Sequence, residues 1–305
     1  KLGVHFMTLI SVDEPGGVSF EPHRLCEEPR GYRSYERLLV EGTKAVLANG
    51  ADPARKQTYV PLVPLSRGYD STAAAVLARA AGCTEAFTYE DDRRRDPKRD
   101  SGAANARLFL NMRCSVYSRW QYVTLDRAVE AEFSYAAASS KAPLAAVEPQ
   151  LPGRVLVFGE SGDAIWDPIA VKAANHMSKS WIRRAHGLSP IEFRLRVGYQ
   201  SFAPAFIAAR HNRALHAIAT SAEMQPWTVG GDYDRPLPRR LIEEGGVPRD
   251  RFAIRKFASS HSRLMEPARF TAKGLDDYRQ FVKQRHAQVS SLATGYWKAR
   301  VRWRH

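Results

Sequence analysis

The chain has 305 residues, 44% hydrophobic and 26% charged. This is ordinary globular composition, enough for one large core or two small ones, and it excludes a fibrous or wholly disordered chain. Lys and Arg total 46 against 32 Asp and Glu, a formal charge of +14, so an anionic partner is expected: nucleic acid, nucleotide or an acidic surface.

No run approaches the about 18 apolar residues of a membrane span. Cys26, Cys83 and Cys114 are too few and scattered for a disulfide framework or a Cys-rich zinc site, which points to a reducing, cytoplasmic compartment. Lys1 opens the chain without a secretory pattern, and a trimmed start is expected. The nine histidines show no metal-binding spacing and read as surface or core residues.

In chain order, residues 4–20 read as extended pieces around the turn at Asp13-Glu-Pro-Gly-Gly. Residues 34–48 carry apolar positions at helical spacing and stop at Asn49-Gly50. Thr58–Leu65 reads as a buried strand despite its prolines. A loop, Ser66–Thr72, leads into an Ala-rich helix ending at Gly82. Glu85–Tyr89 is a second strand, and a polar loop to Ser101 precedes a helix over 102–113. Ser115–Tyr117 and Tyr122–Leu125 read as extended, and helices are expected around 126–147, broken near Lys141-Ala-Pro143. Arg154–Phe158 is another short apolar strand. From 168 onward the chain reads as mostly helical, broken at Gly187, Pro204 and Gly230-Gly231. Strands alternating with helices over 58–163 imply an α/β fold, a parallel sheet with crossover helices and a helical C-terminal layer.

Two loops carry the chemistry. Ser66-Arg-Gly-Tyr-Asp-Ser71 joins a buried strand to a helix N-terminus, where free N–H groups and the helix dipole favour an anion. Ser66, Ser71 and Thr72 add hydroxyls, and Gly68 lets backbone approach closely. Asp70 fits such a site if it holds Mg²⁺. The bland reading is a capped helix. The loop is neither a Walker A loop nor the dinucleotide glycine pattern. Gly159-Glu-Ser-Gly-Asp163 follows a second strand, and ligands of open α/β sheets bind beyond such carboxyl ends. Glu160 and Asp163 are therefore expected to converge with Asp70.

The first loop resembles the pyrophosphate loop (Ser-Gly-Gly-x-Asp-Ser) of the asparagine-synthetase-like N-type ATP pyrophosphatases, the PP-loop family. The second is similar to that family's Gly-Glu-Gly-x-Asp-Glu. Phe252-Ala-Ile-Arg-Lys-Phe-Ala-Ser-Ser260 resembles the segment with the family's catalytic lysine, and Pro236–Pro248 resembles the helix and Pro-containing turn before it. The resemblance implies a Rossmann-like, adenine nucleotide alpha hydrolase-like sheet binding ATP and Mg²⁺. It implies an AMP- and pyrophosphate-forming ligase that adenylates a carboxylate and then makes an amide. Ser66, Arg67, Gly68, Asp70, Ser71, Thr72 and Gly159 would hold the nucleotide, with Phe87 and Thr88 reading adenine. Asp70 and Asp163 would bind Mg²⁺. Lys256 would neutralise developing charge, with Arg255 and Glu160 assisting.

Arg67 replaces the loop's first glycine, and Ala164 replaces an acidic residue. Too few residues precede the loop for a glutaminase domain, so nitrogen would come from free ammonia, a separate glutaminase or an amine on the substrate. The acceptor would be a carboxylate-bearing small molecule or peptide, with no membrane partner. The alternatives are an RNA- or nucleotide-modifying PP-loop pyrophosphatase and a non-catalytic nucleotide-binding relative.

Residues 1–34 would form an N-terminal extended segment, 35–265 the synthetase domain and 266–305 a basic helical tail. Two basic clusters stand out. Arg93-Arg94-Arg95 with Lys98-Arg99 is offset by Asp91, Asp92, Asp96 and Asp100. The tail from Lys298, with Tyr296, Trp297 and Trp303, would pack on the domain or stack bases.

Overall fold

The computed structural model describes residues 8–12, 16–22, 26–126, 128–136, 142–167, 191–254 and 270–286. Strands β1 (Thr8–Val12) and β2 (Val18–Pro22) pair antiparallel, matching the expected extended pieces; residues 13–15 of the expected turn lie outside the described residues. Helix α1 (Tyr32–Gly50) buries Tyr32, Tyr35, Leu39, Thr43 and Leu47, a stripe at three- and four-residue spacing. The Ser34 hydroxyl accepts the N–H groups of Arg30 and Gly31 at 2.9 and 3.1 Å and closes its first turn.

A five-stranded parallel sheet follows. Its strands are β3 (Val60–Pro64), β4 (Glu85–Glu90), β5 (Arg113–Ser118), β6 (Arg154–Val157) and β7 (Gln200–Phe202), in the order β5-β4-β3-β6-β7. With helices on both faces, this is a Rossmann-like α/β arrangement. The chain leaves β3 to one side through α2 (Tyr69–Ala80), β4, α3 (Ala103–Leu108) and β5. It then returns through α4 (Val129–Ala136) and α5 (Leu144–Val147) to lay β6 on the other side of β3, and the short α6 (Gly162–Ile165) follows β6. The direction of winding thus reverses between β3 and β6.

The core divides by strand parity, since successive side chains point to opposite faces. Val63, Leu65, Ala86, Val155 and Val157 face a layer of α1, α2, α8 (Asn212–Ala219) and α9 (Pro236–Glu244). Leu62, Phe87 and Leu156 face α5, α7 (Ile191–Val197) and Tyr199. Helix α2 is buried nearly all round by Ala73, Ala74, Ala75, Leu77 and Ala78, and its small side chains let it lie close to both sheet and neighbouring helices.

The prolines of β3 sit where they remove no rung. Val60 N–H bonds Gly153 on the β6 side, and Leu65 N–H bonds Phe87 on the β4 side. By alternation, Pro61 faces β4 before its first pair at Val63–Ala86, and Pro64 faces β6 beyond the last at Leu62–Leu156. A proline without its N–H is tolerated at such positions.

Several expectations need correction. Residues Gln121–Thr124 form a 3₁₀ turn, not an extended segment; its Tyr122 is drawn into the core. Helix α3 stops at Leu108, short of 113, and Asn111 at φ 49° turns the chain into β5. The described part of the region after 168 is mostly helical as expected, but it also holds the strand β7, which closes the β6 edge. Helix α10 (Ala272–His286) begins at buried Glu132 of α4, whose carboxylate accepts the Thr271 N–H at 2.8 Å and the Thr271 hydroxyl. The expected break at Gly187 and the tail beyond 286 lie outside the described residues. No described helix is long and apolar enough to cross a membrane.

Candidate functional site

The winding reverses between β3 and β6, and it is beyond the carboxyl ends of strands at such a point that open α/β sheets bind ligands. Both loops singled out from sequence lie there and touch. A Cβ added to Gly159 would lie 2.3 Å from the Asp70 carbonyl carbon, and one on Gly162 would lie 2.5 Å from Asp70 Oδ1. Only glycine at 159 and 162 lets the β6 loop close onto the start of α2 this tightly.

Within the first loop the hydroxyls bond one another. Ser66 Oγ and Ser71 Oγ are 2.8 Å apart, Gly68 N–H donates to Ser66 Oγ at 3.2 Å, and Thr72 Oγ1 donates to the Gly68 carbonyl at 2.7 Å. Gly68 is the N-cap of α2 and has no side-chain cap. The open side of Gly68 is ringed by Ser66 Oγ, Ser71 Oγ and the Tyr233 hydroxyl at 3.4 to 3.9 Å from where a Cβ would stand. This is a small hydroxyl-lined cradle over a helix N-terminus, and the donors suit a phosphate.

Arg67 does not fold over that cradle. Its Nε donates to the Arg251 carbonyl at 3.1 Å, its N–H to the Asp100 carbonyl at 3.2 Å, and its own carbonyl accepts Ala253 N–H at 2.7 Å. The residue that departs from the expected loop thus ties it to residues 251–253, just ahead of Arg255 and Lys256. Those two lie outside the described residues.

Asp70 faces a partner that sequence reasoning missed. Arg235 Nη1 donates to both its oxygens at 2.7 and 3.0 Å, with Asp167 Oδ2 3.8 Å from Nε. The Arg235 side chain is only 2% exposed and lies near the rings of Tyr69 and Tyr233, 6.0 and 5.3 Å from their centroids. Burial opposes its charge, but Asp70 and, less strongly, Asp163 more than offset this and raise its pKa. Burial and the Asp70 charge push the Tyr233 hydroxyl up to about 12, so it stays a donor. The turn ahead of Arg235 is built by Asp234, whose Oδ2 accepts the Val229 and Gly230 N–H groups at 3.0 and 2.8 Å. No local pattern points from 235 to 70; the contact spans 165 residues.

The expected convergence of three carboxylates is only partial. Asp70 and Asp163 act on the same guanidinium. Glu160 instead adds its charge to Tyr199, in the core of the other sheet face, where burial is the main reason that phenol titrates high. Among the described residues no group of three or more His, Cys, Asp or Glu is placed to hold a metal ion. Two hard carboxylates with phosphate oxygens and water still suit Mg²⁺, which commonly binds this way.

No family model matches the chain, and no curated protein does.

The remaining predicted residues are placed as follows. Phe87 is fully buried, its carbonyl accepts the Leu65 N–H at 2.8 Å, and Thr88 Oγ1 accepts the Gly102 N–H at 2.9 Å. Both are integrated into the sheet end. Between Gly159 and Gly162 of the second loop, Ser161 adopts φ 62°, and its buried hydroxyl has no hydrogen-bond partner. A non-glycine residue in this conformation at a crevice marks local strain. Buried Cys83 and half-buried Cys114 carry thiols raised by burial, Cys114 to about 11, so neither is an activated nucleophile.

Proposed function

We propose that this chain is an ATP-dependent ligase of the asparagine-synthetase-like kind, with an adenine nucleotide alpha hydrolase-like sheet. It adenylates a carboxylate, releases pyrophosphate, and passes the acyl group to ammonia or an amine as AMP leaves. One observation carries the reading. The hydroxyl-lined loop Ser66–Ser71, at the N-terminus of α2, meets the acidic loop Gly159–Asp163 in van der Waals contact at the point where the sheet's winding reverses.

In this reading Ser66, Gly68, Ser71 and Tyr233 bind the β- and γ-phosphates through hydroxyl and backbone donors. Asp70 and Asp163 hold Mg²⁺, which supplies charge neutralisation on the phosphates. Arg235 keeps Asp70 aimed into the crevice. Lys256 follows residues tied to the loop through Ala253, which supports its role at the developing charge on the α-phosphorus.

The test is ATP–pyrophosphate exchange with Mg²⁺ over a panel of carboxylates. Carboxylate-dependent exchange that falls about 100-fold or more in Asp70→Asn and Lys256→Ala is expected. Failure of ATP to bind by calorimetry would overturn the reading.

A further inference from the structure

The loop between β4 and α3 looks almost neutral as sequence, with Arg93, Arg94, Arg95, Lys98 and Arg99 against Asp91, Asp92, Asp96 and Asp100. Folding sorts these charges. Asp91 turns inward, where it accepts Trp120 Nε1 at 2.8 Å and Arg94 Nε at 2.9 Å. Asp100 is drawn under the loop, and its carboxyl is raised by burial to about 6 against the pull of Arg119, Arg67 and Arg94. Residues 92–99 are all exposed, so Arg93, Arg94, Arg95, Lys98 and Arg99 lie at the surface along with Asp92 and Asp96, Arg94 in its ion pair with Asp91.

A groove of about 520 Å³ is lined by Arg94, Arg95, Asp96 and Arg99. Beside it the Arg93 guanidinium lies 3.9 Å over the Trp120 ring, which in turn stacks on Tyr122 with planes 26° apart. The surface continues to the β3 loop, because Arg67 bonds the Asp100 backbone and Ser66 bridges Ser101.

We propose that a single-stranded nucleic acid docks its phosphodiester backbone along residues 93–99, beside the Ser66–Ser71 crevice. Clustered guanidiniums match phosphates, and a stacked guanidinium–indole column is a platform for unpaired bases. The stretch from 91 to 99 offers Pro97 as its sole apolar side chain, so it lacks the apolar centre a protein partner needs. The inference does not depend on the ligase reading, since binding is measured without ATP.

The experiment is fluorescence anisotropy of a labelled single-stranded RNA of about 20 nucleotides, enough to exceed a typical site. The intact protein is compared with Arg95→Glu/Arg99→Glu and with Arg37→Glu/Lys44→Glu, an equal charge change on exposed positions of α1. Three phosphate contacts predict that affinity falls about 20-fold from 50 to 200 mM salt. The loop variant should bind at least about tenfold more weakly, with a shallower salt slope, while the α1 variant binds as the intact protein does. No binding at low salt would overturn the proposal. So would equal losses in both variants, which would mean attraction by net charge alone. Equal competition by polyglutamate would assign the surface to an acidic protein instead.

Discussion

The Asp70–Arg235 pair allows a quantitative check on how the crevice is held together. The Arg235 side chain is 2% exposed and Asp70 25% exposed, so removing either charge leaves the other poorly solvated. Breaking a fully buried pair costs about 3–5 kcal/mol. Here Asp70 retains some water and Asp167 remains 3.8 Å from Nε, so the lower part of the scale applies. Asp70→Asn should cost about 2–3 kcal/mol, because the amide oxygen keeps one hydrogen bond but not the charge. Arg235→Met, which fills the stem's volume, should cost about 2–3 kcal/mol, because Asp70 and the neighbouring Asp167 then lose this cation. The double variant should cost about 3 kcal/mol, not the sum of about 4–6, giving a coupling of about 1–3 kcal/mol. Urea unfolding of the four proteins at constant slope measures it. Additivity within about 0.5 kcal/mol would refute the argument that these two groups depend on each other.

Two further outcomes follow from strain and titration at the same end of the sheet. Ser161→Gly should raise stability by about 1 kcal/mol, since it relieves a left-handed backbone and removes an unpartnered buried hydroxyl; a loss in thermal unfolding would contradict this. The Asp100 carboxyl titrates near 6 when folded against 3.8 as its ordinary value. The folded state therefore binds the proton more tightly, and stability falls as pH rises from about 4 to about 6, then levels. The full drop is at most about 3 kcal/mol. Asp100→Asn should flatten that segment and be the more stable protein at pH 8, as unfolding at a series of pH values would read. An unchanged profile would place the titration elsewhere.

Most of the sheet was legible because its strands announce themselves by composition. Val60–Pro64, Glu85–Glu90 and Arg154–Val157 are apolar runs bounded by glycine or polar loops, and the Ala-rich α2 follows its loop directly. The strand β7 was not legible. It is three residues long, two of them Gln200 and Ser201, and it is a strand only because the exposed edge of β6 supplies partners. Gln121–Thr124 misled for the converse reason: Tyr122 and Val123 have strand propensity, but burial of the Tyr122 ring overrides it. The two site loops could be found from local pattern, since glycine, serine and aspartate at a strand end carry their own physical meaning. Arg235 and Tyr233 could not. Their roles arise from a turn that brings residue 235 against residue 70, and arginines on either side of it are as common in the sequence as in any basic chain. The charge sorting of residues 91–100 was hidden for the same reason: a formal count assigns each Asp to cancel a neighbour, whereas the fold turns two of them inward.

The placement of the β3 prolines has a mechanical side. Pairing with β6 uses residues 60–62, and pairing with β4 uses residues 63 and 64. The sheet is thus two ladders laid end to end along one strand, with no level at which β4, β3 and β6 are all bonded across. What joins the halves is the covalent chain through Leu62 and Val63 and the side chains packed above and below it. The Ser66 loop begins at the top of that seam. A twist of one half-sheet against the other shifts the Ser66 loop relative to the Gly159 loop while every rung stays intact, so the contact between these loops depends on side-chain packing more than on the backbone ladder.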